Sequence, residues 1–162
     1  MTTTQPVAQT DPAAVRLAVD DLVPHLSKAM SSLEAASRKV RLEPSLQELV
    51  RARASQLNGC AYCVDMHTKD ARSIGETEQR IYALPVWRET PFFTARERAA
   101  LAFTEEVTAA AATHVPDEAY EAVAAQFRPP ELAALISLIV TINAWNAIGV
   151  ATRAWQPGSY QP

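Results

Sequence analysis

The stretch from Glu48 to His67 reads E-L-V-R-A-R-A-S-Q-L-N-G-C-A-Y-C-V-D-M-H, and its division decides the fold. Leu46, just before it, and Leu49, Val50 and Leu57 in its first half recur at helical spacing. Asn58 and Gly59 suit the end of that helix, because both tolerate the left-handed backbone that a helix stop demands. A second helix is predicted to start near Cys60 and stop near Gly75. Val64, His67, Ala71 and Ile74 fall on one side of it, and Asp65, Lys69, Arg72 and Glu76 on the other. If the two helices pack as a hairpin across Asn58-Gly59, Glu48 returns to the two cysteines.

Working outward, the same punctuation repeats. Asp11 and Pro12 predict a helix start, Pro24 an interruption, and His25 to Val40 a second helical stretch. Glu43-Pro44-Ser45 breaks the chain before the Glu48 helix. Downstream, Thr77 to about Val86 reads as a short helix, and Trp87 to Pro91 as a loop. Thr94-Ala95-Arg96-Glu97 is a capping box that opens a helix through to about Ala112. Pro116 and Asp117 open another, which ends at Phe127. Pro129-Pro130 launches a long apolar helix that ends before Pro157. No strand alternation and no Asn-Gly hairpin signal occurs. The expected fold is therefore all-α: a compact bundle of seven or eight helices, with the C-x-x-C at a helix start and the long apolar helix last. Met1 to Thr10 reads as a flexible tail, and 11–158 as a single domain.

Composition narrows the function classes. The chain has 162 residues, enough to bury a core without staples. Its net charge of -3, with no basic run, argues against a nucleic-acid or anionic-membrane partner. Only two cysteines occur, both in one C-x-x-C, which is not a secreted disulfide framework. The N-terminus lacks a signal pattern, so a cytoplasmic location is expected. Leu132 to Thr152 carries no charge and is long enough to span a bilayer. Ser137, Thr141, Asn143, Asn146 and Gly149 interrupt it, so a central helix buried on most sides is the expectation.

Cys60, Cys63 and His67 lie at i, i+3 and i+7, so one helical face brings them together. Cys60 falls where unpaired backbone N–H groups favour an anion, which lowers a thiol pKa and raises its reactivity. His67, one turn beyond Cys63, can take a thiol proton, and Glu48 can orient His67 or relay that proton. These residues admit three readings: a redox dithiol, a zinc site of two Cys, one His and one Glu, or small apolar side chains packed in a core.

The spacing E-x11-C-x-x-C-x3-H, met by Glu48, Cys60, Cys63 and His67, resembles the alkylhydroperoxidase D-like group within the carboxymuconolactone decarboxylase family. Arg53, Ala54, Ser55, Asn58 and Tyr62 around it, and I-N-A-W-N at 142–146, look like its single-domain members. The resemblance covers about Glu43 to Gly158. It implies an all-helical homo-oligomer, a trimer or hexamer, that reduces organic hydroperoxides without a cofactor or metal. It implies that Cys63 is the peroxidatic residue and that Cys60 is the resolving and partner-exchange thiol. Glu48 and His67 would form the proton relay. An external dithiol reductant (a lipoyl protein, a thioredoxin-like protein or a peroxiredoxin) would reopen the disulfide. Position alone favours Cys60 as the better thiolate, whereas the resemblance gives the peroxide to Cys63. The better-known reductase has His where this chain has Tyr62, so a second ring nitrogen is missing near the dithiol. The decarboxylase branch works without a cysteine pair, so Cys60 and Cys63 argue against lactone chemistry on His67 and Glu48. A non-enzymatic thiol sensor or metal-stabilised module is the other alternative.

Asn143, Trp145 and Asn146 are candidates to line a substrate pocket, because the last helix must pack on the motif helices; Tyr62 is a candidate for the same site or for a subunit boundary. The two asparagines could equally tie helices together. Phe92 and Phe93 suit either an interface anchor or a loop tucked into the core. His25 and His114 are read as structural.

Overall fold

Prolines and glycines set the helix boundaries. The structure, a computed structural model, describes residues 14–39 and 42–162. The helices are α1 (Val19–Leu22), α2 (Pro24–Ser37), α3 (Pro44–Asn58), α4 (Ala61–Ser73), α5 (Glu78–Ala83), α6 (Ala95–Thr108), α7 (Ala110–Thr113), α8 (Asp117–Ala124) and α9 (Pro129–Thr152). A 3₁₀ segment at Leu84–Glu89 follows α5. No strand occurs among the described residues. The fold is all-α, as the sequence predicts.

Pro24, Pro44 and Pro129 stand in the first turns of α2, α3 and α9, where a missing N–H costs nothing. Thr94 and Glu97 form the expected capping box: Thr94 Oγ1 accepts from the Glu97 amide at 3.2 Å, and Glu97 Oε2 accepts from the Thr94 amide at 2.8 Å. Gly59 ends α3 at φ 69°, a conformation that a side chain would strain. The Cys60 amide then donates to Ser55 O at 3.0 Å and closes the corner. That corner folds α4 back along α3, so the predicted hairpin forms.

α3 is the centre of the molecule. It packs on α4, on α9 and on α6. Leu46 and Val50 face a core shared with Phe103, Leu135, Leu138 and Ile139. Leu49 and Ala52 face a second cluster with Leu84, Trp87, Phe93 and Leu101. α9 is the one helix among the described residues long and apolar enough to cross a membrane, with mean hydropathy 1.7. It is a core helix: Leu135, Leu138, Ile139, Ile142 and Asn146 are fully buried. Ala133, Ser137, Val140, Ala147 and Val150 lie on its exposed side.

Three expectations differ from the structure. The flexible tail at 1–10 and the helix start at Asp11-Pro12 lie outside the described residues, but 14–18 is not helical. Instead, the Arg16 and Leu17 amides donate to Thr152 O at the end of α9. The Trp87–Pro91 loop is largely the 3₁₀ segment, which buries Trp87. The Thr94 helix is interrupted at Ala109, whose backbone leaves the helical region at φ -97° and ψ 20°, and the remaining alanines form the separate single-turn helix α7. Of the two readings of Phe92 and Phe93, the loop tucked into the core is the one found: Phe93 is buried and Phe92 packs beside it.

Past α9 the chain doubles back along α4. The Gly158 amide donates to Asp65 Oδ2 at 2.9 Å, and Lys69 Nζ donates to Tyr160 O at 3.0 Å. Tyr160 Oη donates to Asp70 Oδ1 at 2.6 Å. This strap carries Trp155 onto the face of α4 that holds the cysteines.

Candidate active site

The hairpin of α3 and α4 brings four chemistry-bearing side chains together. Cys60 caps α4 in an extended conformation, and Cys63 lies in its first turn. Their Cα atoms are 5.3 Å apart and they are joined as a disulfide. Both are almost fully buried. His67 follows one turn later, also buried. Its Nδ1 lies 2.9 Å from Glu48 Oε2 on α3. The relay residues predicted from spacing are therefore in contact.

Glu48 is not a solvated helix carboxylate. It is 5% exposed and is held by two arginines. Arg51 Nη1 donates to Glu48 Oε1 at 2.6 Å, and Arg38 Nη1 lies 3.7 Å from the same oxygen. Burial alone would raise the Glu48 pKa. The hydrogen bond and charge of His67, with the charges of Arg51 and Arg38, overcome burial and hold it below the ordinary value of 4.5. Glu48 is therefore a carboxylate that can only accept. It follows that His67 Nδ1 carries the proton of this contact, and Nε2 is the ring nitrogen that faces away from Glu48. Nε2 is buried and has no hydrogen-bond partner among the described residues.

Arg51 is fully buried, and its other nitrogen Nη2 lies 3.3 Å from Glu34 Oε1. Burial pushes the guanidinium pKa down, against the pull of Glu48 and Glu34. Glu34 also pairs with Arg38 at 3.0 Å, and Arg38 reaches Asp70 at 3.9 Å. Sequence reading gave Glu34, Arg38 and Asp70 no part in the site. The i, i+4 pairing of Glu34 with Arg38 was visible, but only the docking of α2 places it over the motif.

Two pockets of about 440 Å³ each flank the dithiol. The first is lined by Cys63, His67, Met66, Ile142 and Trp145, together with Ser27, Ser31 and Glu34 of α2 and Arg38 at its C-cap. The second is lined by Cys60, Gly59, Gly149 and Arg153. Tyr62 and Trp155 border both and form the wall between them, ring centroids 5.8 Å apart. Trp155 also meets Trp145 edge-on at 5.5 Å and donates from Nε1 to Asp20 Oδ2 at 2.8 Å.

Tyr62 and Trp145 thus stand at the first pocket. Asn143 and Asn146 sit elsewhere: Asn58 Nδ2 donates to Asn143 Oδ1 at 2.6 Å and to Asn146 Oδ1 at 3.0 Å, and Asn146 Nδ2 donates to Ser55 Oγ at 3.0 Å. They tie α3 to α9 beneath the cysteines. Glu48, His67 and Asp70 offer ligand atoms within 4.8 Å of one another. Arg51, Arg38 and Tyr160 already serve those carboxylates, and two guanidinium ions oppose a further cation.

The fold and the site define an all-helical protein with a C-x-x-C dithiol backed by a buried imidazole–carboxylate pair. The chain belongs to the carboxymuconolactone decarboxylase family, whose model matches residues 24–106. That match begins with α2, so the segment that supplies Glu34 and Arg38 is part of the family region. The chain is 40% identical to the uncharacterized protein YdfG of Bacillus subtilis (strain 168) over 136 residues, 84% of this chain and 92% of that one. It is also 40% identical to a protein of unknown function from Agrobacterium tumefaciens, ATU0492, described as a candidate antioxidant defence protein AhpD. The TM-score is 0.86, covering 89% of this chain and 99% of the other. The debrominase Bmp8 shares the fold at 23% identity and TM-score 0.64, covering 82% of this chain and 72% of its own. The fold alone therefore does not choose the reaction.

Proposed function

We propose that the protein is a thiol-dependent peroxidase that reduces organic hydroperoxides through a Cys60/Cys63 dithiol–disulfide cycle. The observation that carries this reading is the hydrogen-bonded line His67, Glu48, Arg51, with His67 and Cys63 both lining one apolar, aromatic-walled pocket. A pocket of this size holds a small organic molecule, and its apolar wall suits an alkyl or aryl group.

His67 Nε2 takes the proton of Cys63, while Glu48 stabilises the imidazolium that results. The Cys63 thiolate attacks the terminal oxygen of ROOH. The O–O bond breaks, Cys63 becomes a sulfenic acid, and His67 returns the proton to the departing alkoxide to give ROH. The Cys60 thiol then displaces hydroxide from the Cys63 sulfur, giving the disulfide and water. An external dithiol returns two electrons. A lipoyl protein, a thioredoxin-like protein or a peroxiredoxin fits that role. The exposed, uncharged side of α9 with Val140 and Val150 supports self-association, and a cytoplasmic setting would keep the reductant at hand.

The test is turnover of an alkyl hydroperoxide with excess dithiothreitol. Wild type is expected to consume hydroperoxide catalytically, and Cys60→Ser and Cys63→Ser are expected not to. Hydroperoxide turnover that survives in both variants would overturn the dithiol cycle. Decarboxylation of a carboxymuconolactone by either variant would favour acid–base chemistry on His67 and Glu48.

A further inference from the structure

The pocket on the Cys60 side lies apart from the residues assigned above to the peroxide half-reaction. Cys63 and His67 do not line it, and Cys60 does not line the pocket where they stand. Cys60 is 3% exposed, so the opening to this pocket is its route to solvent. Gly149 makes the approach: a Cβ at that position would lie 3.1 Å from Cys60 Sγ and 3.3 Å from the Trp155 ring. The bare backbone leaves the sulfur seated at the floor of a cleft.

The charge of this cleft is one-sided. Arg16 and Arg153 line it, and no acidic residue does. The first pocket, by contrast, sets Asp20 and Glu34 against Arg38. Neither Arg16 nor Arg153 forms an ion pair among the described residues. Both are fixed by their backbone at the end of α9. The Arg16 amide donates to Thr152 O at 2.8 Å, and the Arg153 amide donates to Gly149 O at 2.8 Å. Two cations anchored beside a recessed sulfur make an entry that selects by charge.

We infer that the Cys60 pocket is the port of the reducing half-reaction and that it takes an anionic dithiol, with Arg16 and Arg153 as the recognition pair. This rests on the redox reading of the C-x-x-C. One thiolate of the reductant attacks Cys60 Sγ. The Cys60–Cys63 bond breaks, and Cys63 leaves as a thiolate toward His67. The second reductant thiol then attacks the reductant sulfur of the mixed disulfide and releases Cys60. The reductant becomes a disulfide, and its two electrons and two protons end on the two protein thiols. Oxidant and reductant would then use opposite faces of one dithiol, divided by Tyr62 and Trp155.

The test compares two dithiols that differ only in the charge of the tail, dihydrolipoate and dihydrolipoamide. Oxidised protein is mixed anaerobically with each, and protein thiols are counted against time. Dihydrolipoate is expected to react about 10-fold faster, with the ratio falling as salt is raised. In the Arg16→Gln/Arg153→Gln variant the ratio is expected to fall close to one. Arg16→Gln alone, on an exposed non-helical segment, is expected to give an intermediate ratio and guards against misfolding of the double variant. Equal rates in wild type, or a preference that survives both substitutions, overturn the inference and leave the peroxidase reading standing. A disulfide that neither dithiol opens, while a phosphine does, overturns both.

Discussion

Replacing Glu48 by Gln separates stability from reactivity. The substitution removes one charge from a buried pair in which Arg51 and Glu48 side chains are 1% and 6% exposed. Arg51 is then left with Glu34 at 3.3 Å as its only ion-pair partner among the described residues. Breaking a buried pair on one side costs about 3–5 kcal/mol, and Gln keeps one acceptor, so about 3 kcal/mol is expected. At 2–4 °C per kcal/mol for a chain of this size, the melting temperature falls by roughly 6–12 °C. The folded Glu48 carboxyl has a lowered pKa, so its contribution is full above the ordinary value of 4.5 and is lost as pH falls. The difference between wild type and variant therefore shrinks in acid. Adding Arg51→Met removes the stranded cation and is expected to recover part of the lost stability. Reactivity is expected not to recover, because His67 still lacks the carboxylate that stabilises its charge. Alkylation of reduced Cys63 and hydroperoxide turnover should stay down about 100-fold in both variants. The assays are thermal melts across pH and iodoacetamide kinetics on reduced protein. A strictly additive double variant would refute the coupling of Glu48 to Arg51. Full reactivity in Glu48→Gln would refute the relay.

Two further outcomes follow from the geometry. Gly149→Ala should not gain the usual helix stabilisation of about 0.5–1 kcal/mol, because its methyl would press on Cys60 Sγ at 3.1 Å. Thermal melts and the rate of disulfide reduction check this, and a variant that gains the full amount with an unchanged rate would contradict it. The hydrogen bond to Asp70 is the main reason that the Tyr160 pKa is pushed up to about 12. Its stabilising share is thus present below the ordinary value of 10.0 and is lost as pH rises toward 12. Ultraviolet titration of Tyr160→Phe should lose the highest-titrating tyrosine, and an unchanged titration curve would count against the strap.

The motif hairpin was legible because its signals are local. Gly59 at a left-handed corner and Cys60 at a helix start determine how α3 meets α4, and that places Glu48 on His67. The capping box at Thr94 and the polar interruptions of α9 were legible for the same reason. Glu34 and Arg38 were not, since their helix reads as an ordinary charged segment until it docks over α4. Trp155 and Tyr160 were missed because they follow the last periodic segment, and a returning strap leaves no period in the sequence. Asn143 and Asn146 show the limit of a one-helix argument. Periodicity puts them near the motif, but only the partners Asn58 and Ser55 reveal that they tie helices together instead of lining the pocket.

The central claim is that Cys63 attacks a hydroperoxide and Cys60 closes the disulfide. The most direct measurement mixes fully reduced protein with one equivalent of an alkyl hydroperoxide and follows thiols, the alcohol product and a sulfenic-acid trap. The account predicts that wild type loses both thiols and releases one alcohol, that Cys60→Ser traps a sulfenic acid on Cys63, and that Cys63→Ser traps none. Survival of both wild-type thiols in the presence of the hydroperoxide would contradict it.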